Sequence, residues 1–352
     1  MSVWVDHQFM RAREPAINDL RRGRSGGVME TVTFAVNQRA CAFSDWELRK
    51  KNIEFLEGID PGYYSFIAST NLEKLTSKDK QYAALSLRIS YYQGLETLFA
   101  LIAATVQAPN CPLGWMLAYK NHELKKVVQK ISSESDIYTR LRIDYVSWER
   151  LANLIHSHVK VEENEKKSVS ERFGFAWRGL ASDFLDTNHE DEYNSAKHGL
   201  RVRSGGFSLS VGKTNVWGVS APPDKMECLG GSEHGTTFFV KTKISERDEV
   251  NFRPKRISFN WHPQNLLYGL ELISASINNV VAFLKLINGV QPDQCSFRRL
   301  DDDCFDKPWE MDVGVISWNC NKVLEPCHVH LFSKEEIIDS YSGELASQAG
   351  EL

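Results

Sequence analysis

The chain lacks most of the signatures by which common activities are read from sequence. Its longest apolar run, Leu95 to Val106, falls short of the roughly 20 residues that cross a bilayer, and so reads as a core helix. MSVWVDHQFM has no basic start followed by an apolar stretch, so no secretory signal is expected. No charge sign dominates: 42 Lys and Arg face 46 Asp and Glu, a net charge of −4. That balance excludes a globally basic nucleic-acid coat and leaves room only for a local basic patch. Cysteine is sparse and odd in number: Cys41, Cys111, Cys228, Cys295, Cys304, Cys320 and Cys327. Seven scattered thiols do not make a disulfide framework, and a reducing cytoplasm is the expected location. There is no GxxxxGK[ST], GxGxxG, GxSxG or HExxH, which leaves phosphate-loop, dinucleotide, serine-hydrolase and zinc-protease chemistry unsupported, and no cofactor is expected. No internal repeat is visible.

The composition, 42% hydrophobic and 25% charged over 352 residues, is that of a globular protein of one large domain or two ordinary ones. Residues 1–30 read as a flexible basic arm, with five arginines in RAREPAINDLRRGRSGG, either solvated or phosphate-binding. Ser44-Asp45-Trp46-Glu47 has capping-box spacing and predicts a helix to about Gly58, stopped by Asp60-Pro61-Gly62. Leu85, Ile89, Leu95, Leu98, Phe99 and Ile102 predict a long helix over Ser77–Gln107. Helices are expected over Leu113–Ile131, Ile137–His158 and Glu171–Leu185, with KVEENEKKSVSER as a solvated linker. After Gly199 the pattern changes. Leu200, Val202, Phe207, Leu209 and Val211 alternate about Ser204-Gly205-Gly206 as a β-hairpin would. Thr236–Ile244, Ile257–Trp261, Met311–Trp318 and Val329–Phe332 read as strands. Pro263 opens a second long helix to about Leu286, and Ser333 to Glu336 is another capping box. The expected fold class is α+β: a helical part over 31–203, then an α+β region over 204–352, either separate or an elaboration of the first.

One stretch concentrates polar chemistry: His189-Glu190-Asp191-Glu192-Tyr193-Asn194-Ser195-Ala196-Lys197-His198-Gly199-Leu200-Arg201. On a helix, Glu190, Asn194 and His198 fall at i, i+4 and i+8, a row that could position a proton donor or acceptor beside the cations Lys197 and Arg201. The same residues also read as an ordinary helix end, with cations on the negative pole of the dipole and then a glycine able to take positive φ.

Asn194-x-x-Lys197-His198 resembles the Asn-x-x-Lys-His variant of the HEPN motif, and Tyr91-Tyr92-x-Gly94-Leu95-Glu96 is similar to the first helix of that family. The resemblance covers about residues 77 to 203 and implies a small helical bundle. Family members are metal-independent ribonucleases, toxins or defence proteins, or non-catalytic interaction modules, and their sites are often built across a homodimer. RNA and a second copy are therefore the partners it implies, without a membrane. It casts His198 as general acid or base, Asn194 as the residue orienting the scissile phosphate, and Lys197 and Arg201 as charge-stabilising groups. The position usually held by Arg is Tyr193, which removes the cation expected to stabilise a phosphorane. A non-catalytic or RNA-binding module in a stress or defence context is thus the first expectation, an active ribonuclease the second, and a purely structural helix cap the third. Arg150–His156 and Arg256–His262 repeat the family's Arg-to-His spacing by coincidence.

The weak metal candidates are Cys320, Cys327, His328 and His330, whose spacing lacks the CxxC knuckle of structural zinc sites. The tryptophans, Trp115, Trp148, Trp177, Trp217, Trp261, Trp309 and Trp318 among them, read as core anchors unless some lie exposed in a basic groove. Metal is expected to be dispensable: elemental analysis of protein purified without chelator should find no stoichiometric zinc. One zinc per chain, lost in Cys327→Ser, would contradict this.

Overall fold

The computed structural model describes residues 29–244, 250–319 and 329–341; the expected basic arm lies outside them except for Met29 and Glu30, and Glu30 is already strand rather than arm. The chain begins with a hairpin that its sequence pattern conceals, β1 (Glu30–Val36) and β2 (Arg39–Asp45). Val32, Phe34 and Val36 alternate inward, and Asn37 turns the chain with φ of 55°. The amide of Gln107 serves the turn as a strand would: its Oε1 accepts from Asn37 N–H at 2.8 Å and its Nε2 donates to Asn37 O at 3.1 Å. Ser44 consequently caps no helix. Its hydroxyl pairs with Thr31 across the hairpin at 2.8 Å, and the helix α1 (Leu48–Glu57) starts later than the capping box suggested. Asp60 then accepts the N–H of Gly62 at 2.8 Å and opens α2 (Gly62–Leu72), whose mixed sequence carries no amphipathic period.

The core is organised by α3 (Lys80–Gln107), about 42 Å long by its rise per residue and apolar on nearly every side. Against it lies α9 (Pro263–Ile287), which begins at Pro263 as expected. The two helices approach closely because each offers a glycine. A side chain at Gly94 would meet Ile273 at 2.9 Å, and one at Gly269 would meet Tyr91 at 2.5 Å. Among the described residues α9 is the one helix long and apolar enough to span a membrane, and 78% of that stretch is buried within the protein.

Two expected helices divide. Leu113–Ile131 is α4 (Pro112–Ala118) followed by α5 (Asn121–Ser132). The break is fixed by Glu123, which accepts the N–H of Lys120 at 3.0 Å and pairs with Arg39 Nε at 2.8 Å. Ile137–His158 is irregular until Ser147, whose hydroxyl accepts the N–H of Arg150 at 3.3 Å and starts α6 (Trp148–Ile155). The preceding segment closes the end of α3 instead. Thr139 Oγ1 and Arg140 N–H both donate to Val106 O, satisfying a carbonyl that the helix leaves unpaired. The charged linker is largely helix, since α7 (Glu163–Leu185) starts within it. Its mixed charges fall at i,i+4, as with Lys167 and Glu171 at 3.8 Å, which supports exposed helix rather than a loop.

After α8 (Thr187–Lys197) the chain forms β3 (Val202–Ser204), β4 (Ser208–Gly212), β5 (Met226–Gly231), β6 (Gly235–Lys243), β7 (Phe252–Asn260) and β8 (Ser317–Asn319). The expected hairpin about Gly205 does not form. β3 pairs with β6 in the antiparallel order β3-β6-β7-β8, and β4 pairs with β5 in a separate sheet. Two features part the strands. Gly205 has φ of 116°, and a Cβ on Gly206 would meet Ser232 O at 2.2 Å. Asn260 then takes both backbone groups of Phe207, its Oδ1 accepting at 2.9 Å and its Nδ2 donating at 2.8 Å. Of Met311–Trp318 only the last residues are strand, and Phe332 is held by the Asn251 side chain rather than by a ladder. The capping box at Ser333 and Glu336 is present, opening the helix α10 over 334–341.

His156, which shares the chance spacing with Arg150, is 0% exposed at the end of α6. Its Nδ1–H donates to Ala152 O at 2.7 Å and its Nε2 accepts from Asn279 at 3.0 Å, so both nitrogens are spent on the neutral ring. Burial lowers its pKa to about 4. Above about pH 6.5 the ring is neutral whether folded or unfolded; below that the unfolded chain alone takes up the proton. Urea unfolding should therefore show stability falling by about 3 kcal/mol between pH 6.5 and 4 from this group. In His156→Phe that part of the acid limb should be absent.

Candidate functional site

The polar stretch singled out in the sequence is α8 and the turn behind it. Asp186 starts the helix by accepting the N–H groups of Asn188 at 2.7 Å and His189 at 3.2 Å. From there its inward residues are fixed by charge. Glu192, 3% exposed, accepts from Arg88 Nε at 2.9 Å and Nη2 at 2.7 Å, from Trp261 Nε1 at 3.2 Å, and from the Thr236 hydroxyl. Burial opposes its charge, yet Arg88 and Thr236 hold the carboxyl below its usual range. His189 is lowered by burial and by Arg88, and its ring meets the edge of Phe259. Between α3 and α8, beside Arg88, Tyr92 and Tyr193, a void of about 10 Å³ remains, the lower limit for one water. Among the described residues this void has room for nothing larger than a water.

The outward end is different. Tyr193 is 8% exposed, its ring stacked on Tyr92 at 4.7 Å and its hydroxyl donating to Glu96 Oε2 at 3.3 Å. Burial first, and Glu96 second, push its phenol well above the usual range. Glu96 also lies 3.7 Å from Lys197 Nζ, which sits 5.3 Å over the Tyr193 ring. Tyr119 is pushed up to about 12, by burial and then by the same carboxylate. Glu96 is thus the centre of the outward group, a residue that spacing arguments passed over. The signal was its isolation: it is the one charge in LETLFALIAATV.

Helical geometry does not carry the expected Glu190, Asn194 and His198 row to its end. Glu190 turns to Lys125 of α5 at 2.5 Å. Asn194 is half-buried, and α8 stops at Lys197, leaving His198 at φ −98° and ψ 66° beyond the helical face. The backbone closes itself here, with His198 N–H to Asn194 O at 3.0 Å, Leu200 N–H to Ala196 O at 3.1 Å and Arg201 N–H to Ser195 O at 2.7 Å. Gly199 takes φ of 98°. The helix-end reading is right about the main chain, but the side chains of Asn194 and His198 take no part in it. Among the described residues neither has a hydrogen-bond partner, and Arg201 is exposed without an acidic one.

Cys320, Cys327 and His328 lie outside the described residues, and the His330 ring packs edge-on against Phe332 at 4.5 Å. Among the described residues no three His, Cys, Asp or Glu converge as metal ligands. Comparison with protein-family models, with curated proteins and with solved structures found no match.

A side chain on Gly199 would have open space, its nearest neighbour being Arg201 Cγ at 4.0 Å, so the cost of substitution there is backbone conformation alone. Gly199→Val should lower stability by about 1–2 kcal/mol, read as a shifted urea midpoint at unchanged slope. No shift would mean that the positive φ is not required.

Proposed function

We propose that the protein is a HEPN-like, non-catalytic module that contacts RNA through the outward end of α8, in a stress or defence context. The observation that carries this reading is the disengagement of Asn194 and His198: the turn is closed by its own backbone, so neither side chain is needed to hold it. Exposed Lys197 and Arg201 lie within three residues of His198 and supply local positive charge. Two features argue against cleavage. Tyr193 replaces the family's Arg and is turned into the core toward Glu96. Lys197 is partly neutralised by the same carboxylate.

A second reading, a metal-independent ribonuclease using His198 as general acid or base, is favoured only by the exposure of that imidazole. The third, a structural cap, draws on the positive φ of Gly199.

The test is incubation of purified protein with total RNA without divalent metal, alongside Asn194→Ala and His198→Ala. Both variants should melt within about 0.5 kcal/mol of the parent. RNA retention should fall in both, with no cleavage by any form. Metal-independent cleavage lost in His198→Ala would establish the ribonuclease instead. A loss of about 1–3 kcal/mol of stability without RNA retention would leave the cap.

A further inference from the structure

The four-stranded sheet has one face on the helical body and one face open. Phe238, Ile257 and Phe259 point inward, and Thr236 on the same face reaches Glu192. The antiparallel register determines what shares the other face. Arg203, Thr237, Ser258 and Trp318 form one row across all four strands, Phe239 and Arg256 face each other in the next, and Lys243 opposes Phe252 further along. Rows two residues apart lie about 7 Å from one another. Phe239 is 61% exposed, Phe252 56% and Trp318 51%, an unusual display of rings to water.

The charge on this face has one sign. Arg203, Lys243 and Arg256 are exposed and have no acidic partner among the described residues, and Lys241 lies 4.5 Å over the Phe252 ring. No Asp or Glu occupies any position of this face on the four strands, in a chain whose net charge is −4. Exposed rings beside cations with no carboxylate among them are not what a merely solvated surface requires.

We infer that the open face of the β3-β6-β7-β8 sheet binds single-stranded nucleic acid, with bases stacked on Phe239 and Trp318 and phosphates on Arg203, Arg256 and Lys243. Cations flanking accessible rings match a polyanion whose bases present free π-faces, and a duplex hides those faces within its stack. An apolar protein partner would leave the cations buried without counter-charge. The inference stands apart from the proposed role of the α8 end, because α8 packs on the opposite face of the sheet.

The experiment is fluorescence anisotropy of the full chain with labelled 20-mer oligouridylate, 20-mer oligothymidylate and a 20-bp duplex. Single strands should bind more tightly than duplex, and comparison of the two strands decides whether RNA or DNA is preferred. Phe239→Ala and Trp318→Ala should each weaken binding about tenfold while melting as the parent does. The logarithm of affinity should fall with that of salt, and Arg256→Ala should reduce the slope by about 0.7. Binding lost in His198→Ala and kept in Phe239→Ala and Arg256→Ala would overturn the sheet inference while supporting the α8 reading. No binding by the parent at 50 mM salt (a concentration on the order of which such contacts are strongest) would overturn it outright. So would a dimer, seen by sedimentation, that dissociates in Phe239→Ala without any oligonucleotide binding.

Discussion

The position of every functional candidate follows from one buried ion pair, Arg88 with Glu192. Arg88 is carried by the central helix, Glu192 by α8, and both are withdrawn from water. Such a pair is a poor source of net stability, because removing two charges from water costs several kcal/mol per ion. It is tolerated here because the carboxylate is saturated. One oxygen takes both Arg88 donors, and the other takes Thr236 of β6 and Trp261 at the end of β7. A group with four donors from three parts of the chain permits few alternative arrangements. It therefore fixes the rotation of α8 about its axis, and with it which residues face inward. A neighbouring contact works the same way: Tyr91 of α3 donates to Asp183 of α7 at 2.6 Å.

Given that rotation, the rest of α8 follows from helical geometry. Tyr193, one residue after Glu192, turns toward Tyr92 and Glu96, and Lys197, four residues on, reaches the same carboxylate. Asn194 and His198 are carried outward. The ion pair also seats the sheet, since Thr236 and Phe259 are in contact with α8 through Glu192 and His189. With its inner face so occupied, the sheet has only its outer face to offer a partner. The helical N-terminal part and the strands after Gly199 are further joined by α9, which lies along α3 at the paired glycines.

What could be read from the sequence was what depends on neighbours in the chain. The helices α3 and α9 declared themselves through apolar spacing, and the end of α8 through Lys-His-Gly. The hairpin β1–β2 was masked because Ser44 and Glu47 imitate a capping box; what decides between strand and cap is Gln107, far away in sequence, bonding the turn. The expected helix over Ile137–His158 failed for a similar reason. Its first half serves the end of α3, and no local period reveals that. In the site, Tyr193 was legible as a departure from the family motif, but its partner Glu96 lies 97 residues earlier. The sheet face was the least legible. Its strands were mostly anticipated, yet Arg203, Phe239, Arg256 and Trp318 become neighbours only through a strand order that local propensity does not specify.

The distribution of charge follows the same logic. Three acidic residues at α8 are already engaged: Glu192 with Arg88, Glu190 with Lys125, Glu96 with Lys197. Each of these carboxylates neutralises a cation where helices meet, and none is left to face the open sheet. Arg256 points the other way because alternation forces it to: with Phe238 and Ile257 in the core, Phe239 and Arg256 must face water, whereas Arg253 and Lys255 share the inner face. Hydrophobic burial alone would be met by any polar residue at the outward positions. It does not require aromatic rings there, nor cations without acidic neighbours. Rings held in water beside Arg203, Lys243 and Arg256, none with an acidic partner among the described residues, are surplus to folding, and a surface that carries both has the chemistry of a binding face.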